Sequence, residues 1–94
     1  MLKIGVVGAG HLGKIHLTIL KDLKEFYTLV GFHDSDTIRA RKVSLELQIP
    51  FYDSLEELVD AVDCIDVVTA TSSHFEVTKL AVQSRKHVFI EKPL

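Results

Sequence analysis

The sequence predicts an α/β fold: a doubly wound parallel sheet of five strands in the order 3-2-1-4-5, with helices on both faces. Short apolar segments alternate with amphipathic ones along the 94 residues. The apolar segments are continuous, as in strands that are buried on both faces. A glycine-rich turn directly follows the first of them. The length allows one domain, at the small end for this architecture.

Composition and charge exclude several classes of protein. With 47% hydrophobic and 26% charged residues, the chain is not intrinsically disordered. A net charge of −2 argues against nucleic acid or an anionic membrane as a partner. No apolar run approaches the ~18 residues of a membrane span, and no signal peptide is recognisable, so we expect a cytoplasmic protein. The single cysteine, Cys64, is expected to be a reduced core residue rather than a reactive or metal-bound one.

The glycine-rich turn has the spacing of a phosphate-binding loop. Gly8, Gly10 and Gly13 form a G-x-G-x-x-G pattern at the start of a helix. We expect Gly8 to permit a tight turn, Gly10 to let a pyrophosphate approach the backbone, and Gly13 to let the helix pack close to the sheet. The helix start also offers free N–H groups and the positive end of its dipole to an anion. The first acidic residue of the chain is Asp22, so no nearby carboxylate repels phosphate.

The helix after the turn is predicted to bury one apolar face. Its hydrophobic residues recur at steps of three and four, namely Leu12, Ile15, Ile19, Leu20 and Leu23. His16 lies on the same predicted face. A hydrogen-bonded core histidine is favoured there over a ligand, and we expect no metal, because no other candidate ligand stands at a suitable spacing.

A second strand, over residues 28–33, ends at Asp34. Asp34 lies about 20 residues beyond Gly13, which is where dinucleotide-binding folds carry an acid that accepts hydrogen bonds from the adenosine ribose. A carboxylate there would repel a 2′-phosphate, so the expected cofactor is NAD in preference to NADP. The alternative is that Asp34, Ser35 or Asp36 simply caps the next helix. The spacing favours ribose binding.

The middle of the chain continues the alternation of helices and strands. A helix from about Asp36 to Gln48 carries Arg39 one turn beyond Asp34, where its guanidinium could lie over an adenine ring. The residues of this helix expected to face the core are Ala40, Val43, Ser44 and Leu47. Pro50 ends the helix, and Phe51 and Tyr52 are predicted to form a short edge strand. A capping-box pattern over residues 54–57 then begins a short helix.

The last third supplies two strands and one helix. The fourth strand is predicted over residues 65–70, and Ser73 is predicted to open the fourth helix with a second capping-box pattern. The fifth strand is predicted over residues 87–90, directly before the closing residues Glu91-Lys92-Pro93-Leu94.

With these features in hand, the whole chain resembles the N-terminal dinucleotide-binding Rossmann domain of the family of glucose-fructose oxidoreductase, inositol dehydrogenase and the rhizopine-catabolism protein MocA. Four features carry the resemblance: residues 8–13 with His16 three positions on, Asp34, the segment from Thr69 to His74, and the closing stretch from Lys86 to Pro93. The last is the most specific, because a strand running into Glu-Lys-Pro at this distance from a glycine turn is rare elsewhere.

The resemblance implies a role for each matching residue. It implies that the pyrophosphate is held by the turn residues Gly8, Ala9, Gly10, His11, Leu12 and Gly13. It implies that the adenosine end contacts Asp34, Ser35 and Arg39. It implies that the path toward the nicotinamide is lined by Thr69, Ala70, Thr71 and His74, and that the nicotinamide ribose lies beside Glu91, Lys92 and Pro93.

Lys92 is the implied catalytic residue, reaching the substrate hydroxyl that is oxidised. A lysine in a partly desolvated cleft beside a positive ring has its charged form disfavoured, which suits it to proton transfer. The alternative is a solvated charge before a turn. The preceding strand and Glu91 favour the catalytic role.

Two positions depart from the family pattern. Ala70 stands where the family usually has proline, which leaves that loop less rigid. Arg85 stands where it usually has glycine, and a left-handed conformation there costs on the order of 1 kcal/mol more than for glycine.

The function that the resemblance implies is NAD-dependent hydride transfer to or from a hydroxyl-bearing carbon of a sugar, cyclitol or nucleotide-sugar. In the family, a further strand and a substrate domain follow, with the sugar pocket and the oligomer interface. We therefore expect residues 1–94 to be a truncated domain that binds cofactor without turnover, and the complete protein to be a homo-oligomer. Two alternatives are a non-catalytic NAD(H) sensor and a domain that binds S-adenosylmethionine, although the latter leaves Glu91-Lys92-Pro93 unexplained.

Overall fold

The computed structural model describes residues 2–69 and 71–90, with side chains except at residues 71–75. In chain order, the elements are β1 (Leu2–Val7), α1 (His11–Asp22), β2 (Tyr27–His33), α2 (Thr37–Leu47), α3 (Leu55–Ala61), β3 (Cys64–Val67), α4 (Thr71–Gln83) and β4 (His87–Ile90). Within this part of the chain, no helix is both long enough and apolar enough to cross a membrane.

The four strands form one parallel sheet in the order β2-β1-β3-β4. At the carboxyl end of β1, Val7 pairs with His33 on one side and with Val67 on the other. The residues that follow these three strands therefore emerge at the same edge of the sheet. In open α/β sheets this edge is where ligands bind.

The pairing of β1 with β2 contains one irregularity. Ile4 pairs with Leu29 and Gly5 pairs with Gly31, so the register shifts by one residue and Val30 is skipped. Such a β-bulge places an extra residue in one strand. The skipped residue, Val30, lies four residues before Asp34, which directly follows β2.

Helices cover both faces of the sheet, as the doubly wound prediction requires. On one face, α1 and α2 pack against the sheet through the buried side chains of Leu17, Leu20, Ala40 and Val43. On the other face, α3 and α4 pack through Leu58, Val59, Val77 and Ala81. Successive residues of β1 face opposite sides of the sheet: Val6 packs in the core beneath α1 and α2, and Val7 packs in the core beneath α3 and α4.

The prediction that Phe51 and Tyr52 form an edge strand is wrong, so the sheet has four strands instead of five. Phe51 forms only an isolated parallel bridge with Phe32. The nearby backbone bonds run from Phe32 N to Pro50 O, at 3.1 Å, and from Tyr52 N to Phe32 O, at 2.7 Å. Pro50 has no N–H to extend the ladder, so the pairing stops there. The predicted edge position beside β2 and the order of the other four strands are as expected.

The helix α1 is present, but the buried face predicted for it is wrong except at Leu20 and His16. The sheet-facing residues are Gly13, Leu17 and Leu20. Four of the predicted core residues remain exposed, namely Leu12, Ile15, Ile19 and Leu23. At 3.6 residues per turn, these four form a second apolar stripe roughly a third of a turn away from the buried one. Apolar periodicity cannot distinguish two such stripes.

The predicted ends of several elements can be compared with the structure. Asp36 is the N-cap of α2, and its side chain accepts from Arg39 N at 3.1 Å. Ser54 caps α3 by accepting from Glu57 N, at 3.3 Å. The fourth predicted strand ends at Val67 rather than residue 70, and α4 begins at Thr71, so the prediction that Ser73 opens this helix is wrong.

Two further predictions concern single residues. Arg85 adopts the left-handed conformation, with φ 60°, directly after α4. Cys64 is fully buried, with Sγ 3.7 Å from Lys3 O. Burial raises the pKa of the Cys64 thiol, and the carboxylates of Asp63 and Asp66 add to the effect, so the thiol is disfavoured as a nucleophile.

Candidate functional site

The glycine-rich turn is held tightly between the ends of two strands. Gly8 has φ +109°, a conformation that L side chains rarely adopt, and its N–H donates to His33 O at 2.8 Å. A Cβ on Gly8 would lie 2.9 Å from the carbonyl carbon and oxygen of Val68. The turn therefore leaves no room for a side chain on its inner side.

The next two glycines of the motif differ sharply in their surroundings. A Cβ on Gly13 would lie 2.0 Å from Gly8 O, so the first turn of α1 rests directly on the backbone of the loop. A Cβ on Gly10 would meet only Arg39 Nη1, at 3.8 Å. Gly13 thus serves packing, whereas the surface of the turn is open at Gly10.

The start of α1 suits an anion. Gly10 is the N-cap and provides no side-chain capping bond, and the first turn of the helix contains no acidic residue. The first amides of a helix have no partner within the helix, so those at the start of α1 could bind an anion. His11 and Leu12 are exposed beside them.

Asp34 is the most heavily hydrogen-bonded side chain of this region. Its side chain is only 3% exposed. Oδ2 accepts from Ala9 N at 2.8 Å and from Arg39 Nε at 2.8 Å. Oδ1 accepts from Asp36 N at 2.9 Å and from Arg39 Nη2 at 3.0 Å. The acid after β2 and the glycine-rich turn are therefore joined directly.

The contacts show which residue of the acidic segment after β2 caps the next helix. Asp36 caps α2, so Asp34 is not the capping residue. Ser35, between them, is exposed. Ala9 N donates to Asp34 Oδ2, so a phosphate could bind only the amides that follow Ala9 in the turn. Arg39 lies beside Asp34 as predicted, but its guanidinium binds the carboxylate instead of standing free above the site.

A second acid–base pair lies under α1. His16 Nδ1 is 2.5 Å from Asp66 Oδ2, and the two side chains are 18% and 9% exposed. Asp66 belongs to β3, so this contact fixes α1 to the sheet and matches the expected hydrogen-bonded core histidine. Asp66 is not among the predicted site residues. A single acid inside the otherwise apolar stretch Ile65-Asp66-Val67-Val68 was the available signal.

The remaining predicted site residues are only partly within the described region. Thr69, half-buried, follows β3 at the carboxyl edge, and its N would lie 3.1 Å from a Cβ on Gly8. The other residues assigned to the nicotinamide end lie outside the described residues, namely Ala70, Glu91, Lys92, Pro93 and the side chains of Thr71 and His74. β4 runs toward the same edge, since its last residue, Ile90, pairs with Val67.

Comparison with known proteins gives a consistent result. The family model described as "Oxidoreductase family, NAD-binding Rossmann fold" matches residues 2–94. The chain is 37% identical over 92 residues to UDP-N-acetylglucosamine 3-dehydrogenase of Acidithiobacillus ferrooxidans, covering 98% of this chain and 28% of that enzyme. It is 33% identical over 96 residues to myo-inositol 2-dehydrogenase of Thermotoga maritima, covering 99% of this chain and 28% of that enzyme.

The solved structures agree with the sequence comparisons. The structure of the Acidithiobacillus ferrooxidans enzyme superposes with a TM-score of 0.84, over 98% of this chain and 29% of that one. A probable dehydrogenase from Thermotoga maritima, 34% identical, superposes with a TM-score of 0.87, over 99% of this chain and 28% of that one. The chain thus spans less than a third of the length of these relatives.

Proposed function

The chain belongs to the oxidoreductase family of glucose-fructose oxidoreductase, inositol dehydrogenase and MocA, and on that premise we propose that it is the NAD-binding part of a dehydrogenase. The reaction proposed is hydride transfer between NAD and a hydroxyl-bearing carbon of a sugar, cyclitol or nucleotide-sugar. The names of the relatives support this substrate class, since one is a dehydrogenase of a nucleotide-sugar and another of a cyclitol.

The observation that carries the proposal is the hydrogen bond from Ala9 N to Asp34 Oδ2, at 2.8 Å. In a dinucleotide, the pyrophosphate and the adenosine ribose are adjacent, so their binding groups must be adjacent too. Here the glycine-rich turn and the buried carboxylate are in direct contact. The open surface at Gly10 gives a pyrophosphate access to the amides at the start of α1.

Asp34 also supports the finer proposal that NAD is preferred to NADP. A carboxylate accepts hydrogen bonds from a ribose 2′-hydroxyl and repels a 2′-phosphate. Ser35 and Arg39 lie beside Asp34, at the place proposed for the adenosine end.

For the nicotinamide end we propose the residues that match the family pattern. Thr69, Ala70, Thr71 and His74 would lead toward it, and Glu91, Lys92 and Pro93 would lie beside its ribose. When bound, the nicotinamide ring accepts or returns the hydride. Lys92 Nζ would take or return the proton of the substrate hydroxyl, which balances the oxidation of the alcohol to a carbonyl.

The rest of the activity lies in the protein beyond this domain. The substrate pocket and any homo-oligomer interface would be built from the part of the relatives that this chain does not cover. We place the protein in the cytoplasm, where a buried, reduced Cys64 is stable.

The binding proposal is tested by titrating the chain with NADH and with NADPH and following nicotinamide fluorescence, with circular dichroism as the check on folding. We expect saturable binding of both, tighter for NADH because of Asp34. A folded chain that binds neither would refute the assignment of the glycine-rich turn to a dinucleotide.

The catalytic proposal is tested in the protein that carries this domain at full length. Lys92→Ala is expected to lower the rate of NAD⁺ reduction with polyols and nucleotide-sugars by about 100-fold or more, because the substrate hydroxyl loses its proton acceptor. Binding of NADH should be retained. Lys86→Ala, which removes a lysine just before β4, is the matched control. Turnover that does not depend on Lys92 would refute its catalytic role, and no turnover with any of these substrates would favour a non-catalytic NAD(H) sensor.

A further inference from the structure

The structure shows the proposed ribose acid already engaged by a side chain of its own protein. We propose that Arg39 occupies the place of the adenosine ribose in the free protein, and that its displacement from Asp34 sets the selectivity between NAD and NADP. This inference rests on the proposed dinucleotide function and adds a specificity-determining residue to it.

The carboxylate of Asp34 has no acceptor capacity left. An ionised carboxylate has about four lone-pair sites, two on each oxygen. Ala9 N and Arg39 Nε use those of Oδ2, and Asp36 N and Arg39 Nη2 use those of Oδ1. A ribose diol can bind Asp34 only if some of these donors leave.

Of these donors, Arg39 is the one that leaves the carboxylate. The amides of Ala9 and Asp36 are fixed by the backbone, one in the glycine-rich turn and the other at the N-cap of α2. The Arg39 side chain is 48% exposed, against 3% for Asp34. A half-exposed guanidinium on a long flexible side chain regains water when it moves, whereas a buried amide would lose its partner.

Arg39 stays beside the site after it leaves Asp34. Its Nη1 is 3.8 Å from the point where a Cβ of Gly10 would stand, so the guanidinium lies at the open surface of the turn. α2 holds the residue there, since Arg39 N donates to Asp36 Oδ1. A guanidinium at this place matches a 2′-phosphate, which takes bidentate hydrogen bonds from arginine.

Asp34 and Arg39 therefore act in opposite directions on the two cofactors. For NADH, Arg39 competes with the ribose for the carboxylate. For NADPH, Arg39 offsets the repulsion of the 2′-phosphate by Asp34. The preference for NADH is then weaker than a lone carboxylate would give.

The test compares Arg39→Ala with Arg41→Ala, which removes the same charge from an exposed position of the same helix. Dissociation constants for NADH and NADPH are measured by nicotinamide fluorescence. We expect Arg39→Ala to tighten NADH binding by about tenfold and to weaken NADPH binding by about tenfold, the range of a charged hydrogen-bonded contact that is partly exposed. Arg41→Ala should change neither constant by more than about twofold.

A second readout is taken on the wild-type chain. In the NMR spectrum of the wild-type chain, the Nε–H signal of Arg39, assigned by its loss in Arg39→Lys, is expected to move to the position of a solvated arginine when adenosine 5′-monophosphate saturates the site. A signal that does not move at saturation would overturn the proposal. Weaker binding of NADH by Arg39→Ala would also overturn it, because Arg39 would then hold the adenosine instead of competing with it.

The outcome also separates this proposal from the proposed function. If the wild-type chain and Arg39→Ala bind NADH with equal affinity, the dinucleotide site is upheld and the competition by Arg39 is refuted. If neither chain binds either cofactor while both are folded, the dinucleotide site itself is refuted, and the role of Arg39 with it.

Discussion

Gly13→Ala is expected to lower the free energy of unfolding by about 3 kcal/mol or more, the upper range for forcing an extra methyl group into a packed site. The new Cβ would lie 2.0 Å from Gly8 O and 2.7 Å from Gly8 C. Both atoms belong to backbone that cannot rotate away, because Gly8 N is bonded to His33 O. The higher helix propensity of alanine returns only about 1 kcal/mol.

That loss is large relative to the whole free energy of unfolding. A chain of this length has an unfolding free energy of about 5 to 14 kcal/mol. Urea denaturation followed by circular dichroism measures the change directly. The variant should also fail to bind NADH, because the added methyl group would push α1 away from the turn.

Gly10→Ala is the matched control, with the same methyl group added three residues earlier. Its Cβ would meet only Arg39 Nη1, at 3.8 Å, and the backbone angles of Gly10, φ −69° and ψ −164°, are open to alanine. The free energy of unfolding should therefore change by less than about 0.5 kcal/mol. Equal destabilisation by both substitutions would show that α1 does not rest on the turn as described.

Asp34→Asn is expected to destabilise the fold by about 2 kcal/mol and to weaken NADH binding by about 100-fold. The carboxylate accepts four hydrogen bonds while its side chain is 3% exposed. In asparagine, one oxygen becomes an NH₂ group, which would face two donors. The loss stays below that of a fully buried ion pair, because Arg39 is half-exposed and can turn to water.

Asp36→Asn is the control for this change, since asparagine is as good an N-cap as aspartate. It removes a carboxylate from the same loop, and its side chain is exposed. Denaturation and NADH titration of the two variants should differ clearly. If Asp34→Asn leaves both measurements unchanged, Asp34 is neither a structural centre nor a ribose ligand.

The part of this site that was predictable from sequence is the part with fixed spacing. Gly8, Gly10 and Gly13 have distinct roles because a parallel strand, a tight turn and a helix follow one another directly. Asp34 was predicted from its distance along the chain, and the structure places it against the turn. In both cases short-range geometry, which sequence spacing encodes, decides the arrangement.

The errors arise where long-range packing decides. The outer residues of α1, such as Ile15 and Ile19, repeat with the same period as the inner ones, so periodicity alone could not show which stripe faces the sheet. Arg39 was predicted near Asp34 with its guanidinium over an adenine ring, and its bonds to the carboxylate were not predicted because sequence spacing does not show which atoms a side chain contacts. Whether Phe51 forms a strand or a bridge depended on backbone partners across the sheet.

The skipped residue in β2 determines which way the proposed ribose acid faces. Side chains of a regular strand alternate between its two sides, so Asp34, five residues after Leu29, would lie on the side opposite to Leu29. Because Val30 is passed over in the pairing, Leu29 and Phe32 both join the layer beneath α1 and α2. Asp34, two residues after Phe32, shares that orientation and meets Ala9 and Arg39. One supernumerary residue thus resets the alternation of the strand, and because of it the carboxylate faces the glycine-rich turn.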